Sequence, residues 1–576
     1  MRGWGTSSPP LYCIQANLHN CQAAYYNVHN IGDGNNTVNN SKTIKPDLIL
    51  VQEPYNPFGR LGVIKNDLSV YRGAHKTKVR SCIIVKKDLN SWKLTQFSDS
   101  DQVTICVRTG THIICFCNIY MPHDMEMDLI IDKLDKVVNF CRTKNYRLII
   151  SADANSHHVA WGSSDINGRG ERLLEYFLNN NLTINNIGNV PTFVTRSRQE
   201  VLDITVSDCR AALFVKNWKV RQEESYSDHK LISFHIDVET DRVEESFRNP
   251  KKTNWDHFSN CMRFTNWDRY ESSHRVDDQC KILTKTIMDN FEDSTPISKK
   301  GGNIKNTWWN KDIAQARKEI DKVRKQINKC QNTEDKKKLH DHKSNLLTKY
   351  RNKIRAAQRK AWQNFTSEIK DCNHIAKILK FMKIDKTTEA CTLKNTNGTY
   401  TTNPSETLSL LLNTHLGTNV DANLGPTCRL TDVDGTTEYK KFKSFLSIDI
   451  VERAINSFKP YKSPGPDGIY PIMLQKSFSY IGDKIRKLYL KSMKTGQIPT
   501  YWLRAKVVFI PKPGKKDYLD PKAYRPISLT SFLLKGMEKI VTWYLRGSSL
   551  KYSNMHLNQF AYKKNSSTET DLHELV

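Results

Sequence analysis

The sequence has no apolar run of membrane-spanning length: none of its 576 residues lies in a stretch approaching eighteen uncharged apolar positions, and a spanning helix needs about twenty. Its first ten residues hold Arg2, Trp4 and two prolines but no apolar core, so no secretory leader is expected. Fourteen cysteines are scattered, with only Cys115 and Cys117 close together. That pattern excludes a small disulfide framework and offers no CxxC zinc motif, which predicts reduced thiols and an intracellular protein. Acid is also in short supply, with 60 Asp and Glu against 88 Lys and Arg and a formal charge of +28. Such an excess self-repels unless a polyanion neutralises it, so nucleic acid is the leading partner. A basic solubility surface and an anionic membrane are the alternatives on charge alone.

What is present suggests two or three domains. From Leu11 to about Asp237, short β-rich runs such as Asp47–Val51, Ile113–Tyr120, Arg147–Ile150 and Val201–Val206 alternate with helical stretches, which predicts an α/β domain over residues 1–237. Residues 238–440 turn polar and helix-forming, and read as a basic connecting region. Within it Lys311 to Lys360 carries 17 Lys and Arg against 6 Asp and Glu. Ile313, Ala316, Ile320, Val323 and Ile327 recur there at spacings of three and four, so an amphipathic basic helix is expected. Its charged face could grip RNA, or it could be a solvated helix packed on a neighbour. Asn395 to Asp434, rich in Thr, Asn and Gly, reads as a linker. A further domain is expected over 441–576.

Several polar residues stand where an apolar strand meets a loop, the usual place for α/β chemistry. Glu53 follows Leu48-Ile-Leu-Val51, where one carboxylate could hold Mg²⁺ or simply be solvated. Tyr120 ends IYMP, and a satisfied core tyrosine is the commoner explanation. Asp153 and Asn155 in ISADANSHH could orient a water and meet a phosphate, although Asp-x-Asn is also common in turns. The adjacent His157 and His158 point apart and are expected to lie outside any metal set. Asp203 sits inside the apolar VLDITV and needs a partner. His229, in Ser227-Asp228-His229, is the candidate, either as a structural pair or with its far nitrogen on a phosphate. Asn17, in QANLHN, adds an amide at another strand end.

In that order, QANLHN, VQEP, IYMP, SADANSHHVAWG, LDITVSD and YSDHK resemble the apurinic/apyrimidinic-endonuclease-like members of the endonuclease/exonuclease/phosphatase superfamily, over residues 10–236. The resemblance implies a four-layer α/β sandwich with these residues converging between two sheets. It implies that Glu53, Asn17 and Asp228 surround Mg²⁺ or Mn²⁺, that Asp153 activates water, and that Asn155 and Tyr120 contact phosphate. It further implies that His229, supported by Asp203, stabilises the pentacovalent phosphate, and that Thr192 approaches the DNA backbone.

Farther on, KSPGPDGI could be a phosphate-facing turn or only a turn, and IPKPGK with YRPISL reads as a basic β-hairpin followed by a helix from about Phe532 to Leu545. With NQFAYKKNSSTETDLHELV these runs resemble the fingers of reverse transcriptases of non-LTR, LINE-type retrotransposons, particularly the jockey-like group. That likeness implies a partial α+β fingers domain in which Lys512 and Arg525 hold nucleotide or template. Lys564-Asn565-Ser566 departs from the family's Gly-Arg or Gly-Lys. The palm's FxDxxxAFD-like and YxDD runs do not occur, so no nucleotide addition is expected from these residues. The expected whole is a metal-dependent endonuclease that leaves a 3′-hydroxyl for target-primed reverse transcription, with target DNA and element RNA as partners, no membrane, and the nucleus as its place of action. A same-fold exonuclease or phosphatase, or a non-catalytic nucleic-acid-binding remnant, is the alternative.

Overall fold

The computed structural model describes residues 9–28, 45–59, 67–73, 79–195, 197–240, 246–299, 308–369, 392–417, 437–515 and 517–547, with isolated residues between and beyond them. These form two compact units, one of residues 1–245 and 299–410, the other of 246–298 and 411–576.

Among its described residues the first unit is built on fourteen strands: β1 (Leu11–Asn17), β2 (Leu48–Gln52), β3 (Leu68–Arg72), β4 (Ser81–Lys86), β5 (Ser91–Lys93), β6 (Gln102–Thr109), β7 (His112–Tyr120), β8 (Arg147–Asp153), β9 (Leu182–Ile184), β10 (Phe193–Val194), β11 (Gln199–Glu200), β12 (Asp203–Asp208), β13 (Val215–Val220) and β14 (Ile232–Ile236). Two six-stranded sheets result, in the orders β13-β14-β1-β2-β4-β3 and β5-β6-β7-β8-β12-β9, and β10 pairs with β11 as a hairpin. Pairing is antiparallel except for β1 with β2 and β7 with β8.

Side-chain alternation sorts the layers. Leu11, Cys13, Leu48 and Leu50 share one core with Ile105, Ile114, Phe116 and Ile149, which places that core between the sheets. The alternate residues Tyr12, Ile14, Ile49 and Val51 face outward onto helices α1 (Gln22–Val28), α5 (Lys311–Lys329) and α6 (Thr333–Ser367). On the other side Cys115, Cys117, Leu148 and Ile150 face α2 (Met127–Thr143) and α3 (Gly168–Asn179). The helix–sheet–sheet–helix sandwich expected of this segment is therefore present. Short α4 (Cys209–Ala212) follows β12, capped by Asp208, whose side chain accepts the Ala211 N–H.

Two expectations for the middle region need correction. Lys311 to Lys360 is not one helix: the chain breaks at Cys330–Asn332, where the Asn332 side chain accepts from Glu334 N and Asp335 N and starts α6. Nor is Asn395 to Asp434 all linker. Pro404–Leu416 is a helix, begun by Asn403, whose Oδ1 accepts the Glu406 N–H at 3.0 Å. Residues 418–434 of that tract lie outside the described residues.

In the second unit, helices Trp255–Arg263 and Val276–Ser294 supply Phe258, Met262, Leu283, Ile287 and Phe291 to a core shared with Met473, Ile481, Leu488 and Trp502 of helix Pro471–Thr495 and its surroundings. Residues 246–298 of the expected connecting region are thus part of this unit. The basic hairpin is present, with Lys506–Pro511 antiparallel to Tyr524–Leu529 and Ile510 opposite Arg525. Arg525 is exposed, and Lys512, just past the first strand, donates from Nζ to the Lys522 carbonyl at 2.8 Å. The KSPGPDGI turn packs closely, since a Cβ on Gly465 would lie 2.7 Å from the Thr530 carbonyl carbon. The helix after the hairpin runs Phe532–Gly547. Asn558 to Ser566 lies outside the described residues. Among the described residues no helix is long and apolar enough to cross a membrane.

Candidate active site

Register brings the predicted residues to one end of the two sheets. Tyr120 on β7 and Asp203 on β12 are the lateral partners of Asp153 on β8. Asn17 ends β1 beside Gln52, the residue before Glu53. Asp153 is buried, and its Oδ2 accepts from Asn17 Nδ2 across the sandwich at 2.7 Å. Asp203 Oδ2 lies 2.8 Å from Nδ1 of buried His229. Ligand atoms of Asp153, Asp203 and His229 all lie within 4.8 Å of one another. The Tyr120 hydroxyl hydrogen-bonds Asn155, whose Nδ2 also donates to the Met121 carbonyl at 3.0 Å. The structure therefore unites Asn17, Glu53, Tyr120, Asp153, Asn155, Asp203 and His229, with half-buried Asp228 at the margin.

These charges act on one another. Burial, reinforced by the Asp203 charge and opposed by His229, pushes the Asp153 carboxyl up to about 7. Burial acts to lower His229, but the Asp203 carboxylate outweighs it, aided by Asp153 and Glu53, and the imidazole is raised to about 9. Burial and the charges of Glu53 and Asp153 lift the Tyr120 phenol to about 12. At neutral pH His229 is thus an imidazolium held by Asp203 through Nδ1, with Nε2–H left to donate.

Two residues sit differently from the expectation. Thr192 is fully buried, so it does not reach a DNA backbone. Its Oγ1 accepts the N–H groups of Leu202 and Asp203, both at 3.0 Å, and its carbonyl accepts Lys230 N–H at 2.6 Å. It pins the segments carrying Asp203 and His229 to each other. Asn17 is engaged at both ends of its amide, since Oδ1 accepts the His19 N–H at 2.8 Å while Nδ2 serves Asp153. The structure thus gives it the orientation of Asp153, a role beyond the one expected of it.

Other contributors went unread in the sequence. His19 lies 3.0 Å from Asp228 through Nδ1, and this hydrogen bond raises the imidazole and lowers the carboxyl. Arg80 is bound to Asp101 by two hydrogen bonds and stands 5.5 Å over the Tyr120 ring. Beneath the carboxylates a buried polar belt joins the sheets: Gln52 Nε2 donates to Asn118 Oδ1 at 2.7 Å and to Ser151, and Gln15 accepts from Thr205 at 2.9 Å. Amides inside apolar strands were the available signal. His157, expected outside any metal set, lies 2.5 Å from Asp165 and 3.7 Å from Glu200, and the three form a second group of possible cation ligands.

The residues suit a divalent cation. Asp203 Oδ1 is buried without a partner, and Asp153 sits high because no positive charge offsets its burial sufficiently. Carboxylates in that state are ready for a hard cation with oxygen ligands.

Two packed mixed sheets with helices outside and an Asp, Asn, His and Glu cluster at one end have the layered arrangement that the motifs led us to expect. Residues 114–233 match the family described as endonuclease-reverse transcriptase. The chain is similar to the Pol polyprotein of the type-1 retrotransposable element R1 of Bradysia coprophila, 23% identical over 511 residues that cover 82% of this chain and 48% of the relative. It is also similar to the 115 kDa protein of the element R1DM of Drosophila melanogaster, 23% identical over 85% of this chain and 49% of that one. The chain spans about half the length of these relatives. Among solved structures, the endonuclease domain of TRAS1, a telomere-specific non-LTR retrotransposon, aligns over 40% of this chain and all of its own at 23% identity and a TM-score of 0.34. The AP endonuclease of Leishmania major aligns over 39% of this chain and 87% of its own at 14% identity and 0.30. The resemblance to non-LTR retrotransposon proteins with an apurinic/apyrimidinic-type endonuclease is borne out by the family match and the two relatives.

Proposed function

We propose that the first unit hydrolyses one phosphodiester of duplex DNA and leaves a 3′-hydroxyl. The observation that carries this reading is the meeting of Asn17–Asp153 and Asp203–His229 at 2.7 and 2.8 Å on one end of two facing sheets. In its ionised form Asp153, aimed by Asn17, orients a water and takes its proton. Asn155 and the Tyr120 hydroxyl hydrogen-bond the non-bridging oxygens. Nε2–H of the His229 imidazolium donates where negative charge develops, and Asp203 keeps that proton in place. Glu53, with Asp228 at the margin, would hold Mg²⁺ or Mn²⁺, which neutralises phosphate charge when bound. The 3′-hydroxyl would prime reverse transcription of element RNA in a protein of the relatives' full length. Exposed Arg525 and half-buried Lys512 on the second unit's hairpin are suited to nucleotide or template phosphates.

The test is nicking of supercoiled plasmid by the full chain with Mg²⁺, alongside Asp153→Ala. Open circles that DNA ligase closes directly, as a 3′-hydroxyl facing a 5′-phosphate allows, support the reading, as does their loss in the variant. Intact plasmid together with inorganic phosphate released from a small phosphomonoester would replace nuclease by phosphatase.

A further inference from the structure

The helical hairpin of α5 and α6 carries a charge that the chemistry above does not use. Its apolar edge is spent on the nuclease fold: Ile313, Ile320, Tyr350 and Ile354 join the core over the outer face of β1 and β2, Tyr350 stacks on Tyr226 at 5.3 Å, and Gln22 donates to Gln358 at 2.9 Å. The hairpin is part of this unit and not a tether.

Two clefts run between it and the strand ends. One, of about 290 Å³, is lined by His19, Asp228, Arg351 and Arg355, and the other, of about 180 Å³, by Asp228, Lys230, Lys336, His340 and Lys343. Asp228 lines both, so they adjoin the catalytic end. The carboxylates around them are already matched: Glu224 pairs with Lys343 at 2.6 Å, Glu223 with Arg221, and Asp228 with His19 at 3.0 Å. Burial and then the charges of Lys343 and Lys336 hold His340 below its usual range, as expected where cations crowd.

Lys336, His340, Lys343, Arg351 and Arg355 share one face of α6. At 1.5 Å per residue the row extends about 28 Å, and at 3.4 Å per base pair it matches about eight pairs. We propose that this row is a second DNA-binding element of the nuclease unit, gripping the phosphate backbone of duplex DNA to one side of the bond that is cut. Duplex DNA fits better than RNA because the row lies along one helix that borders the catalytic end, while the aromatic ring within it, Tyr350, is buried in the core and not free to stack on bases. The inference rests on reading the unit as a DNA nuclease.

The test measures binding of the full chain to uncleaved duplex without divalent cation, against salt. Each phosphate contact contributes about 0.9 to the slope of log affinity on log salt. Lys336→Gln with Arg355→Gln should lower that slope by about 1.8, so that dilution from 200 to 50 mM salt restores about 12-fold less affinity than in the parent. Lys349→Gln with Lys353→Gln removes the same charge from exposed positions on the opposite face of α6 and should leave the slope unchanged. Equal slopes for the two double variants overturn the proposal. So does a slope that falls for single-stranded RNA and not for duplex, which would make this an RNA surface. Nicking is scored separately: a chain that never nicks but loses slope at Lys336 and Arg355 keeps the surface and loses the nuclease reading, and normal nicking with an unchanged slope does the reverse.

Discussion

Asp203→Asn isolates what holds the His229 proton. In the folded protein His229 titrates at about 9 against an ordinary value of 6.5, with Asp203 as the main opposing force to burial. A shift of that size corresponds to about 3 kcal/mol of differential stabilisation of the imidazolium. Because the folded value is the raised one, this stability is fully present below about pH 6.5 and is lost as pH rises through about 9. The parent should therefore lose about 3 kcal/mol of unfolding free energy between pH 6 and 10 from this group. With an amide at 203 the carboxylate charge is gone and burial governs, so His229 becomes neutral at pH 7. A neutral imidazole whose Nε2 accepts cannot oppose charge on the phosphate, and losing such a donor costs about 10²–10³ in rate. The assay is plasmid nicking from pH 6 to 10, with urea unfolding over the same range. The variant's activity should fall off on the alkaline side at least two pH units earlier than the parent's, and its stability should lack the alkaline loss. A variant that keeps the parent's alkaline limb refutes the assignment of the proton to the Asp203–His229 pair.

Four further outcomes are expected. The parent's nicking rate should climb as Asp153 deprotonates through about 7 and fall as His229 does through about 9, with a bound cation moving the lower limb toward acid; a rate flat across this range contradicts both assignments. Asp153→Asn should abolish nicking while duplex binding without cation persists, read by gel shift beside the plasmid assay. Thr192→Val leaves the N–H groups of Leu202 and Asp203 unsatisfied and should cost about 1–3 kcal/mol in urea unfolding, whereas a surface DNA contact would weaken binding at unchanged stability. Gly170→Ala would put a Cβ 1.9 Å from the His157 carbonyl oxygen, so α3 must shift and stability should fall by about 1–3 kcal/mol; an unchanged melting temperature counts against this packing.

Asp153 and Asn17 were legible because each is a polar residue closing an apolar strand, Arg147–Ala152 for the first and Leu11–Ala16 for the second. The sandwich was implied by the resemblance that the motifs carry. Thr192 was misread because a threonine in PTFVT carries no mark of burial; only the approach of β10 to Leu202 and Lys230 decides it. The break in the basic segment had a local signal, since Asn332 two residues before Glu334 is a helix start. The affiliation of residues 246–298 had none, because periodic apolar positions such as Phe258, Leu283 and Ile287 state that a face is buried and not against what.

What periodicity cannot carry is aim, and here aim comes from the belt and from the backbone. Glu53 and Asn155 have φ of 44°, and His19 and Asn20 have 43° and 52°, all left-handed conformations that L-residues rarely adopt. Each costs about 1–3 kcal/mol and persists only where the surroundings over-determine it. They do so here: Glu53 N–H is bonded to the Arg80 carbonyl at 2.8 Å, its own carbonyl to Asn20 N–H at 2.9 Å, and Asn155 Nδ2 to Met121. Directly below, Gln52 and Asn118 fix the separation of the two sheets by side-chain bonds that a purely apolar interface would not specify. The sandwich core supplies cohesion, but the 2.7 Å contact from Asn17 on one sheet to Asp153 on the other depends on that fixed separation. Strain at Glu53 and Asn155 and polarity at Gln52 and Asn118 are therefore parts of the same device, which turns two sheet edges into one catalytic cleft.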